Sequence, residues 1–134
     1  MLDSYRELLV WQRAMELVVE TYRFSLSFPK EELYGLTSQL RRASVSVPSN
    51  IAEGYGRASR KEYLQFLYVA QGSLKETETQ VILAQMLGYA SKGVTDKGGA
   101  DKGEPELLLE KAAVVGKLLG GLIRALRRKT LVPE

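Results

Sequence analysis

The 134 residues contain no cysteine, no histidine, one tryptophan and four prolines. Without cysteine there are no disulfides, thiolate metal sites or cysteine nucleophiles. Without histidine there are no Ser-His-Asp triads, no imidazole acid–base steps and none of the histidine ligands on which most zinc and di-iron sites depend. No run approaches ~18 consecutive apolar residues; the nearest, Ala112 to Leu126, is broken by Lys117, Arg124 and three glycines. The opening MLDSYRELLV lacks the basic start and apolar stretch of a signal peptide. A chain without a membrane role, resident in the cytoplasm, is the expectation. Period-two strand patterns, internal repeats and a GxxxxGK[ST] phosphate loop are also missing.

What is present is ordinary in amount and uneven in arrangement. The formal charge is +3, with 19 Lys and Arg against 16 Asp and Glu. Residues 1–36 carry a net −2, residues 37–75 +4, residues 76–120 −2 and residues 121–134 +3. Positive charge therefore gathers at Arg41, Arg42, Arg57, Arg60 and Lys61, and again at Arg124, Arg127, Arg128 and Lys129. Clusters of this kind suit phosphate backbones or acidic partner surfaces. The plainer alternative is a solvated helix face, with cations placed well against a helix C-terminal dipole.

Apolar spacing predicts an all-α protein. Leu8, Trp11, Met15, Val18, Tyr22 and Leu26 form one stripe on a helix over about 4–27, which Phe28-Pro29 ends. Pro29-Lys30-Glu31-Glu32 reads as a tight helical turn. Leu36, Leu40, Ala43, Val47 and Ile51 mark a second helix over about 35–53, with Gly54 as its expected left-handed cap. Pro48 lies inside it and predicts a kink. Ser59-Arg60-Lys61-Glu62 is a capping box. It opens a third helix over about 60–87, whose seam is Tyr63, Leu67, Ala70, Leu74, Thr77, Val81 and Ala84, with Gly88 as the cap. Residues 89–103 hold four glycines and three lysines without an apolar period and read as a flexible loop. A fourth helix over about 104–129 follows, striped by Leu108, Ala112, Val115, Leu119, Leu122 and Leu126. Four such helices with short connections predict a single domain over 1–134, an antiparallel up-down four-helix bundle.

The third and fourth helices carry more apolar surface than one bundle buries. Leu64, Phe66, Tyr68, Val69, Leu83, Leu118 and Ile123 lie beside the seams and are expected to mediate self-association. The alternative is a wide core-facing stripe with a few isolated exposed residues. The carboxylates Glu16, Glu20, Glu62, Glu76 and Glu78 read as solvated or capping, so no catalytic residue, metal ligand or cofactor is expected.

From Tyr5 to Tyr89 the chain resembles the bacterial 23S rRNA-intervening sequence proteins, also called the S23 ribosomal protein family. The matching runs are Leu8 to Leu17, Tyr34 to Ala43, Ser44-Val45-Ser46-Val47-Pro48-Ser49-Asn50-Ile51-Ala52-Glu53-Gly54 with Gly56-Arg57 after it, and Leu67 to Glu76. Leu118 to Leu126 matches more loosely, and the glycine-rich loop departs from the pattern. The resemblance implies a left-handed four-helix bundle that assembles into homopentameric rings, with no catalytic activity and no established place in the ribosome. It also implies kinship with the accessory variability proteins of diversity-generating retroelements, which bind nucleic acid and a reverse transcriptase.

Two functions follow as expectations. One is a non-enzymatic homo-oligomer that binds RNA or DNA through Arg41, Arg42, Arg57, Arg60, Lys61, Arg124, Arg127 and Arg128, by phosphate contacts and with little base reading. The other is a protein-interaction scaffold whose cations keep it soluble or pair with acids of adjacent subunits; Arg41 and Arg42 are the weakest nucleic-acid candidates, one of them being a candidate to face the bundle or an interface. A small-molecule site at the proline kink, around Pro48 and Asn50, is a third, lesser possibility.

Overall fold

The structure, a computed structural model, describes residues 4–89 and 103–130, the last two without their side chains. Four helices carry these residues: α1 (Leu9–Ser25), α2 (Leu36–Tyr55), α3 (Arg60–Met86) and α4 (Glu104–Thr130), and no strand occurs among them. Each packs on its two sequence neighbours around the bundle, α4 closing the circle against α1, and α2 and α3 share the most extensive contact. The architecture is the expected four-helix bundle. The glycine-rich stretch expected to be flexible lies almost wholly outside the described residues.

The start of the chain differs from expectation. Helix does not run unbroken from residue 4: Tyr5–Glu7 is a 3₁₀ turn, capped by the Ser4 hydroxyl, which accepts from the Arg6 amide at 3.1 Å. Leu8 is then extended (φ −71°, ψ 124°) before α1 begins. The Tyr5 ring stands edge-on to Trp11 at 5.3 Å, and the Gln12 amide reaches back to the Arg6 carbonyl at 2.8 Å. These contacts hold the turn against the helix it precedes.

The buried stripe of α1 also has a different phase. Val10, Ala14, Leu17, Thr21 and Phe24 face the core, while Met15, Tyr22 and Leu26 of the expected stripe are exposed and Trp11 and Val18 only half-buried. Both sets repeat at helical spacing, so periodicity does not choose between them. The set that is buried contains Ala14, Thr21 and Ser25, whose small side chains permit close approach to α2 and α4. The Thr21 hydroxyl donates to the Leu17 carbonyl at 2.7 Å, so no buried polar group is left unpaired there.

The stripe of α2 is buried throughout, and the helix continues through Pro48 to Tyr55. Gly54 is therefore not a left-handed cap. It lies in the helix, buried where α2 meets α3, and a Cβ there would stand 2.8 Å from the Cβ of Phe66 and 3.2 Å from the Tyr63 carbonyl. The glycine is required by proximity, not by backbone angle.

The α3 seam is buried from Leu67 to Ala84, and the Ser59 hydroxyl caps it by accepting from the Glu62 amide at 3.1 Å. Gly88 does adopt the left-handed conformation (φ 76°), the one described residue that does. The Tyr89 amide bonds the Ala84 carbonyl and the Gly88 amide the Gln85 carbonyl, a Schellman closure. That closure swings Tyr89 against Phe28 (5.7 Å between rings) and brings its hydroxyl to Glu32 at 2.8 Å, locking the end of α3 to the α1–α2 connection.

In α4, Leu108, Ala112, Val115, Leu119 and Ile123 are buried, with Leu122 and Leu126 only half-buried. Ile123, expected at a subunit interface, belongs to the core: it is 4% exposed, because the stripe advances by four residues after Leu119.

Candidate nucleic-acid interface

Antiparallel packing sorts the charge along the bundle axis. The half that includes the α2–α3 turn comprises residues 4–16, 46–73 and 117–130, and carries ten Lys and Arg against four Glu. The opposite half, residues 17–45, 74–89 and 103–116, carries six against eight. Two clusters distant in sequence thus meet at one end.

Within that basic end, aromatic rings on the first turns of α3 seat the arginines. The Arg57 guanidinium lies 4.6 Å from the centre of the Phe66 ring and 3.4 Å from a Glu53 carboxylate oxygen. Arg127, from the last turns of α4, lies 5.9 Å from the Tyr68 ring. Cation–π contacts orient a guanidinium without neutralising it, and an exposed ion pair such as Arg57–Glu53 is worth about 0–1 kcal/mol. Lys61 and Arg128 are exposed, and Arg60 is half-buried in the first turn of α3. Arg124 is exposed and lies over two glycines; a Cβ on Gly120 would meet its Nη1 at 3.2 Å. Arg6 belongs to the same end and was not singled out by sequence, since the negative net charge of residues 1–36 conceals it.

Arg41 and Arg42 lie apart, in the other half. Arg41 faces the bundle: its Nε donates to the Ser25 hydroxyl at 2.8 Å and its guanidinium covers the Tyr22 ring at 4.7 Å. Arg42 is exposed. With Tyr22, Tyr34, Leu33 and Val45 the two arginines line an open groove of about 560 Å³ between the end of α1 and the start of α2. Spacing along one helix does not reveal this groove, because its walls come from two helices and the turn between them.

Around Pro48, the Asn50 amide donates to the Ser46 carbonyl and hydroxyl at 2.8 and 2.9 Å, and Ser46 and Ser73 share a hydroxyl hydrogen bond of 2.8 Å. Asn50 is thus occupied with its own helix. Of the expected interface residues, Tyr68, Val69 and Leu83 are exposed, Val69 by 52%. Phe66 is half-buried, and Leu64 and Leu118 rest partly buried on the core. Among the described residues no three His, Cys, Asp or Glu converge as metal ligands, and no helix is long and apolar enough to cross a membrane.

A family model described as 23S rRNA-intervening sequence protein matches residues 6–104. No curated protein matches the chain. Among solved structures, a protein of unknown function from the S23 ribosomal protein family of Bacteroides thetaiotaomicron VPI-5482 is similar, at 22% identity with a TM-score of 0.68. The match covers 86% of this chain and 98% of that one, and at this identity it is a likeness of fold.

Proposed function

The chain belongs to the 23S rRNA-intervening sequence protein family, and from that premise we propose that it is a non-enzymatic, cytoplasmic homo-oligomer that binds nucleic acid through its basic end. One observation carries the proposal: ten cations against four carboxylates gathered in one half of the bundle, with Arg57 and Arg127 set against aromatic rings. Phosphates displace counterions from such a surface, so binding is phosphate-led and falls with salt. Base specificity is weak, since no helix presents a base-reading motif. Assembly of several copies multiplies the field that each contributes. The exposed Tyr68, Val69 and Leu83 supply apolar area for that assembly.

Reversing Arg57, Arg60 and Lys61 to Glu tests the proposal. Light scattering is expected to give an unchanged mass, and RNA binding to be lost. A reversal variant that keeps its RNA affinity contradicts it. The same exposed apolar residues support a second reading, a scaffold that binds another protein, and that reading gains if wild-type protein purifies as an oligomer free of nucleic acid.

A further inference from the structure

We propose that the groove between the end of α1 and the start of α2 binds single-stranded nucleic acid, an unpaired base stacking on Tyr34 and the flanking phosphate meeting Arg42. The inference rests on the nucleic-acid reading above but concerns a different surface and a narrower ligand.

Tyr34 is 92% exposed, a large ring standing in water on the turn just before α2. Leu33 and Val45, both exposed, provide apolar walls beside it. The arginines supply charge on the other side, and Arg41 is held in place by Ser25 and the Tyr22 ring before any ligand arrives. No carboxylate lines this groove, unlike the groove between α1 and α4, where Glu20 and Glu104 stand. An exposed aromatic face beside paired guanidinium groups, free of acids, is the surface chemistry of single-strand binding: a π-face for any base and cations for the backbone. A duplex hides its bases from such a ring.

The groove also continues. Arg42 and Ser46 line it and line a second, polar groove of about 440 Å³ between α2 and α3, so the two meet across α2. In the second groove the Gln80 side-chain oxygen is buried without a hydrogen-bond partner. Glu76 is the one acid in this lining, suited to an amino group and opposed to phosphate. A strand crossing α2 at Arg42 therefore keeps its backbone away from Glu76.

The test is fluorescence anisotropy with a labelled single strand of about 12 nucleotides and a duplex of the same length. Tyr34→Ala is expected to weaken single-strand binding by roughly 5- to 100-fold and to leave duplex binding unchanged. Tyr34→Phe, which keeps the ring, is expected to bind both as wild type does. Helical content and mass are checked for each variant, and Tyr34 is exposed enough that neither should change. A Tyr34→Ala protein that binds the single strand as tightly as wild type overturns the groove while leaving the basic end intact. Wild-type protein that binds neither probe overturns the nucleic-acid reading itself, and the groove falls with it.

Discussion

Gly54 of α2 lies so near α3 that a Cβ on it would stand 2.8 Å from the Cβ of Phe66, and the Phe66 ring in turn carries the Arg57 guanidinium at 4.6 Å. A missing side chain in the core contact thus governs where a surface cation sits. The most extensive helix contact in the bundle and the basic end are one piece of construction.

Gly54→Ala is expected to destabilise the bundle by about 1–3 kcal/mol, because Phe66 and the Tyr63 backbone must move apart to admit the methyl group. Gly72→Ala, on the exposed side of α3 with nothing within 4 Å of its Cβ position, is expected to stabilise by about 0.5–1 kcal/mol. Urea unfolding of the two variants distinguishes crowding from helix propensity. Equal effects of one sign would contradict the close approach.

The phase of α1 is tested by a pair of truncations. Leu17 is fully buried and Met15 is exposed, so Leu17→Ala is expected to cost about 2–5 kcal/mol and Met15→Ala under about 1 kcal/mol. The reverse order would restore the stripe expected from sequence.

That stripe is instructive about what the sequence discloses. The α3 seam is legible because one series alone, Leu67 to Ala84, repeats at steps of three and four, and the structure buries it. In α1 two series repeat equally well, and the bulkier is the more conspicuous. The core takes the other because Ala14, Thr21 and Ser25 let helices close together, and side-chain size along one helix says nothing of its neighbours. Gly54 misleads for the same reason: a cap glycine and a contact glycine look alike until the facing residue is known. The basic clusters are legible as runs, but Arg41 separates from them only through Ser25 and Tyr22, sixteen and nineteen positions earlier. The Tyr34 groove exists only between elements.

Alkaline pH is expected to weaken the fold through Tyr63. Burial, and secondarily the nearby Tyr55, push its phenol up to about 12 from the usual 10.0. The unfolded chain then releases this proton before the folded one does. The stability tied to the neutral phenol is complete below about pH 10 and declines as pH rises toward about 12. Tyr89, raised in the same direction chiefly by its hydrogen bond to Glu32, adds to the decline. Unfolding free energies of wild type and Tyr63→Phe across that interval provide the check, the variant being expected to fall less steeply. Parallel curves would contradict it.

The Arg41 anchor predicts a split between neighbours. Arg41→Ala removes the hydrogen bond to Ser25 and the cover on Tyr22 and is expected to lower stability by about 1–2 kcal/mol. Arg42→Ala, at an exposed position, is expected to stay within about 0.5 kcal/mol of wild type and to weaken single-strand binding instead. Thermal unfolding and anisotropy on the same two proteins decide it; similar losses of stability in both would contradict the different placements.

The most direct measurement is the affinity of the purified protein for duplex RNA as salt is raised from about 50 to 300 mM. A phosphate-led interface at the basic end predicts a straight fall of log affinity with log salt, and a shallower fall when Arg124, Arg127 and Arg128 are replaced by Ala. An affinity that stays flat across that range, or a slope untouched by the three substitutions, would contradict it.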